Sequence, residues 1–151
     1  MKTLRGAALA SLLLASSTAL AGGFDVPSVS VYGAVGAGSG DVSIRQNSTY
    51  NFAGVVQAGP HVAANVQQSG RYNTAVVGQV GQTTNATVLQ NGGSNNALVR
   101  QWGRVNTAML GQIGSANRAI AFQVGPNNLA GIGQVGADSR AYRAYLRQLP
   151  W

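Results

Sequence analysis

Glutamine stands at Gln46, Gln57, Gln68, Gln79, Gln90, Gln101, Gln112, Gln123 and Gln134, nine positions each eleven residues apart with no insertion. A register this strict limits the chain to a stack of equivalent units. Two positions after each glutamine comes Gly59, Gly70, Gly81, Gly92, Gly103, Gly114, Gly125 or Gly136, with Ser48 the single exception. Seven positions after each comes alanine, from Ala53 to Ala141. Asn51, Asn73, Asn95, Asn106, Asn117 and Asn128 fill a looser slot, which Val62, Thr84 and Ser139 occupy in the other units. The unit is Q-x-G-x-x-N-x-A-x-x-x.

A period of eleven also suits a right-handed helical supercoil at about 3.67 residues per turn. Residue type excludes it, since a glycine in every unit costs a helix about 1 kcal/mol per occurrence. Alternation points to strands. Ala75, Val77 and Gln79, or Ala97, Val99 and Gln101, are two residues apart and share one face of a strand. The intervening positions are mixed, among them Gly54, Thr87, Arg100, Leu98 and Phe122, as an outward face would be. After each glutamine the glycine and its polar neighbours reverse the chain, because glycine tolerates positive φ and asparagine bonds to nearby backbone.

The expected fold is therefore all-β. It is a β-solenoid of strand-arc-strand rungs, two units closing one rung of about 22 residues. From the strand at Val42 to about residue 146 there is room for ten strands and five rungs. Three segments follow. Residues 1–21 read as a secretory signal, with Lys2 and Arg5, an apolar run beginning at Leu9, and Ala19-Leu20-Ala21. The apolar run falls short of the roughly 20 residues that span a bilayer. Residues 22–41 form a Gly-rich segment without the repeat, expected to be at most partly ordered, and 42–151 form the repeat domain.

One unit cannot fold alone. Ordering eleven residues costs on the order of 11–22 kcal/mol of backbone entropy, which small alanine and valine contacts offset only when a neighbour stacks on them. Stacking places like side chains roughly 4.8 Å apart, so glutamine and asparagine amides can bond in ladders, as in amyloid spines. The end rungs then present matching strand edges, and no strong block against pairing is visible at the first rung. A contact between unlike ends does not close, and it generates a filament.

The repeat signature, the five rungs and the leader resemble the curlins, the bacterial subunits of curli fibres, over residues 42 to about 148. The resemblance implies an amyloid-forming, secreted subunit that assembles outside the cell with itself and other curlin subunits. It also implies export through the outer-membrane curli secretion machinery and roles in biofilm and adhesion. Recurrence of the G-x-x-N-x-A element in nearly every unit is more similar to the minor, nucleating curlin than to the major subunit.

The last rung departs from the pattern, with Arg143 in the aliphatic slot and Tyr145 in the glutamine slot. Arg140, Arg143 and Arg147 are the candidates for surface anchoring; the alternative is a frayed terminus that only ends the stack. Without the leader the chain carries eight arginines against three aspartates, Asp25, Asp41 and Asp138. That excess suits an anionic cell surface, matrix polymers or extracellular DNA, or serves solubility alone.

Catalysis and metal binding are not expected, and no cofactor is. The chain has no cysteine, no glutamate and one histidine, His61, placed by the repeat in an arc, so converging acids, nucleophiles and ligands are missing. The rival to a fibre subunit is a soluble β-solenoid binding module, which would need capped ends and a regular outward threonine array.

Overall fold

The computed structural model describes residues 11–16, 29–35 and 39–146, folded as strands with no helix among them. The strands are β1 (Ser11–Ser16), β2 (Val29–Val35), β3 (Ser39–Asn47), β4 (Phe52–Ala58), β5 (His61–Ser69), β6 (Thr74–Gly93), β7 (Asn96–Ser115), β8 (Arg118–Val124), β9 (Asn127–Ala137) and β10 (Arg140–Leu146). Strands β6 and β7, 20 residues each, run round a corner and so contribute to both walls of the solenoid.

Pairing divides the strands into two parallel columns. The first stacks β2, β4, the first half of β6, the first half of β7, β8 and β10. The second stacks β3, β5, the second halves of β6 and β7, and β9. Pairs such as Ala75 with Ala97 and Gln90 with Gln112 place like residues in register at a separation of 22. The fold is the five-turn β-solenoid that the period requires.

The core lies between the columns. Ala53, Val55, Ala75, Val77, Ala97 and Val99 of the first column and Ala64, Val66, Ala86, Val88, Ala108 and Leu110 of the second are buried together. Burial alternates along each strand, as in β5, so the inward set is the Ala, aliphatic and Gln triplet of the unit. Small aliphatic residues dominate this position because the two walls close within a single rung, with Leu110 and Ile132 the largest apolar side chains between them. The outward faces carry exposed apolar residues as well, among them Val56, Val80 and Trp102 on the first column and Met109, Leu129 and Val135 on the second.

Two expectations change at the first rung. Within the Gly-rich segment, Val29–Val35 forms a strand parallel to β4, and β3 starts at Ser39 rather than at 42. The first rung is also not free of a block, because β2 covers the edge of β4 and β1 pairs antiparallel with β2. The repeat conceals β2 for two reasons. Its register to β4, Val29 with Phe52, is 23 residues, and Ser30, Tyr32 and Ala34 fall where Ala53, Val55 and Gln57 stand. The gain is that backbone groups on the β4 edge are paired. His61, expected in an arc, is the exposed first residue of β5.

Candidate functional site

Every glutamine of the register from Gln57 onward is buried. A buried amide must be satisfied, and stacking satisfies it. In the second column Gln46 Nε2 donates to Gln68 Oε1, Gln68 to Gln90, Gln90 to Gln112 and Gln112 to Gln134, each at 2.8 Å. In the first, Gln57 donates to Gln79, Gln79 to Gln101 and Gln101 to Gln123, each at 2.7 Å. The second amide proton goes to backbone of the facing column: Gln90 Nε2 to Thr74 O at 3.0 Å, Gln101 Nε2 to Asn85 O at 3.1 Å. The glutamines thus hold rung to rung and wall to wall.

Both ladders share one polarity. Each Nε2 faces the C-terminal end of the solenoid and each Oε1 the N-terminal end. At the C-terminal end Gln134 Nε2 donates to Arg118 O at 3.0 Å and Ser139 O at 2.7 Å. At the N-terminal end Gln57 Oε1 is buried without a partner, because its register partner in β2 is Ala34.

The asparagines divide into two sets. Asn51, Asn73, Asn95 and Asn117 sit before the first-column strands, where Asn51 Oδ1 accepts from Asn73 N at 3.0 Å and Asn117 Oδ1 from Ser139 N at 3.1 Å. Their Nδ2 groups donate to the glycine carbonyl of the next rung, as Asn73 does to Gly92 O at 3.0 Å. Side-chain bonds join some of them, Asn95 Nδ2 to Asn73 Oδ1 at 3.1 Å and Asn117 Nδ2 to Asn95 Oδ1 at 3.0 Å. Asn106 and Asn128, before second-column strands, meet at 2.9 Å. The corner before Asn106 runs on as continuous strand within β7, the one before Asn128 bends at residues 125–126, and Val62 and Thr84 stand at the same slot.

The asparagine turns contain a feature that the sequence reading missed. Tyr50, Tyr72, Ser94, Ala116 and Asp138, one residue ahead of the Asn slot, have φ between 52° and 59°. Three of these left-handed residues are held by their own backbone bonds, Ser94 N to Arg71 O and Ala116 N to Gly93 O at 2.9 Å and Asp138 N to Ser115 O at 3.0 Å. Their signal was a separation of 22, not 11, hidden by variable residue type. Tyr50 and Tyr72 stack their rings at 4.8 Å.

The turn glycines are needed for close approach as well as for φ. At Gly92, with φ 121°, a Cβ would lie 1.9 Å from Gly114 O; at Gly81, which lacks a positive φ, it would lie 1.8 Å from Gly103 O. Gly59, Gly70, Gly103 and Gly114 meet the next rung's glycine in the same way, whereas at Gly136 no atom lies within 4 Å because no described rung follows. Gly125 has φ 129°.

Of the three anchoring candidates, Arg140 is exposed, with its Nε 4.0 Å from Asp138 Oδ1, a solvated contact of little energetic weight. It pairs in register with Arg118, also exposed, so two like charges stack. The backbone of Arg143 pairs with Ala121 and that of Tyr145 with Gln123. The side chain of Arg143 and the whole of Arg147 lie outside the described residues.

Among the described residues, the strand edges without a partner are those of β1 and β3 at the N-terminal end and of β9 and β10 at the last rung. Such edges, flanked by amide ladders of matching period, are chemically suited to pairing with another strand of the same kind. The model of the curlin associated repeat matches residues 85–114, 103–136 and 114–142. No curated protein and no solved structure matches the chain.

Proposed function

Since this chain belongs to the curlin family, whose members are structural subunits of curli fibres, we propose that it is the minor subunit, which nucleates polymerisation at the cell surface during biofilm formation and adhesion. Self-assembly follows from the family; the observation that supports it here is the common polarity of the two glutamine ladders. A single direction of amide donors and acceptors suits head-to-tail addition, in which Gln134 of one copy lies in register with Gln46 of the next and exchanges its bond to Ser139 O for the ladder bond. Open edges on β3 and β9 supply backbone groups in the same direction. A soluble module would need both ends closed.

The nucleating role rests on three features. The G-x-x-N-x-A element recurs in both columns, the chain is basic, and the last rung departs from the repeat at Arg143 and Tyr145. Residues 1–21 serve as the secretory leader, and residues 42–151 as the assembling domain. Export through the outer-membrane curli machinery and contact with an anionic surface, matrix polymer or extracellular DNA complete the reading.

Purified protein in dilute buffer should form thioflavin-positive fibres with spacings near 4.7 and 10 Å. A persistent soluble monomer would refute fibre formation. Trace amounts added to a major curlin should shorten its lag; an unchanged lag would favour a major-subunit role.

A further inference from the structure

We infer that β2 is an intramolecular edge guard, which must leave β4 before a second copy can stack, and that its place is taken by β10 of that copy. The inference rests on the self-assembly reading above and adds which strands meet.

The parity of the two columns limits which strands can meet. The first column holds six strands and the second five. In a continuous solenoid the columns alternate, so the strand after β10 belongs to the second column, on β9. If β3 of the next copy takes that position, Ala130 meets Val42, Ile132 meets Ile44 and Gln134 meets Gln46 in register. The next first-column position, on β10, then falls to β4. Only one strand fits between β8 of the first copy and β4 of the second. Both β10 and the second copy's β2 claim it, and they cannot share it.

Three observations make β2 the strand that yields. It alone among the parallel pairs has a separation of 23 rather than 22, so its register is not that of the repeat. It leaves Gln57 Oε1, on a fully buried side chain at the ladder's acceptor end, without a donor. It brings Ala34 to the glutamine column, whereas β10, in register with β8, brings Tyr145. Alanine offers Gln57 no side-chain donor, and β10 keeps the repeat separation of 22. Among the described residues the second column has no equivalent guard, because β3 pairs there with β5 alone. Its register of 22 runs to both ends, so first contact occurs there, and exchange in the first column follows.

Such a guard delays addition without preventing it. The β2–β4 ladder lost is replaced by a β10–β4 ladder of equal length, seven paired residues in each case for β2 and for β10. Assembly thus costs the opening of the β2–β4 ladder, with β1 carried off on β2, and the lag reports that opening.

The chain has no cysteine, so a lock can be installed cleanly. Gly33 and Val56 are register partners in β2 and β4. Neighbouring parallel strands lie about 4.8 Å apart, within the roughly 4.4–6.8 Å between Cα atoms that a disulfide accepts. The full chain carrying Gly33→Cys and Val56→Cys should, when oxidised, elongate preformed wild-type seeds at least tenfold more slowly than wild type, and reduction should restore the rate. Deletion of residues 29–35 should shorten the lag. Elongation by the oxidised protein at the wild-type rate would overturn the inference, as would a cysteine pair that does not oxidise. If the double substitution itself stops assembly, the deletion decides, and a lag lengthened by it would overturn the inference. If wild type forms no fibres, it is the proposed function that fails.

Discussion

Replacing Gln90 with alanine tests the ladder where it is most fully bonded. Gln90 Nε2 donates to Gln112 Oε1 at 2.8 Å and to Thr74 O at 3.0 Å, and its Oε1 accepts from Gln68 Nε2 at 2.8 Å. Gln90→Ala strands one amide proton of Gln68 and the oxygen of Gln112 in a site closed to water. Each orphan costs about 1–3 kcal/mol. The lost bond to Thr74 and the space left by the side chain add to this, so a total near 4 kcal/mol is expected. At 1.4 kcal/mol per decade, the soluble concentration left when fibre growth stops should rise by about 10²–10³-fold. The outward Leu98 is half-buried between its register partners Val76 and Ile120. Leu98→Ala should cost about 1 kcal/mol of apolar contact and raise that concentration about fivefold. Sedimentation at plateau measures both. Equal shifts for the two variants would remove the ladder from the account of stability and leave only generic strand pairing.

Two further outcomes follow from the turns. Gly92→Ala should abolish assembly at concentrations where wild type assembles, because its Cβ would meet Gly114 O at 1.9 Å, whereas Gly111→Ala, with no atom within 4 Å, should behave as wild type; normal fibres from the first variant would refute the close approach. Ala116 holds φ 57° on the surface, and Ala116→Asn should stabilise fibres against chaotrope by about 0.5–1 kcal/mol, since asparagine tolerates the left-handed region. A lowered midpoint would contradict that reading.

How much was legible depended on whether a feature repeats. The inward triplet is legible because each rung presents the same environment, so selection for a small core and a satisfied amide acts at every eleventh residue. Glutamine at 79 and 101, or alanine at 75 and 97, therefore announces its neighbour in space. The left-handed residues at 94 and 116 are equally periodic in φ but not in type, because their side chains face solvent and only the backbone is constrained. Nothing in the letters Tyr, Ser, Ala and Asp marks them as equivalent.

By itself the sequence determined the period, the strand alternation, the inward residues and hence the solenoid, since each depends only on a local environment repeated along the chain. The tertiary structure decided what local identity cannot. It separated the two corners, one pinned by asparagine bonds and one that runs on as continuous strand in β6 and β7, because their difference lies in φ and in carbonyl positions. It gave the ladders a direction, because amide orientation is settled by neighbours above and below. It also placed a non-repeating strand, β2, on the edge of β4, leaving Gln57 Oε1 without a donor. An edge takes whatever backbone can reach it, and backbone hydrogen bonding asks nothing of the side chains by which a sequence is read.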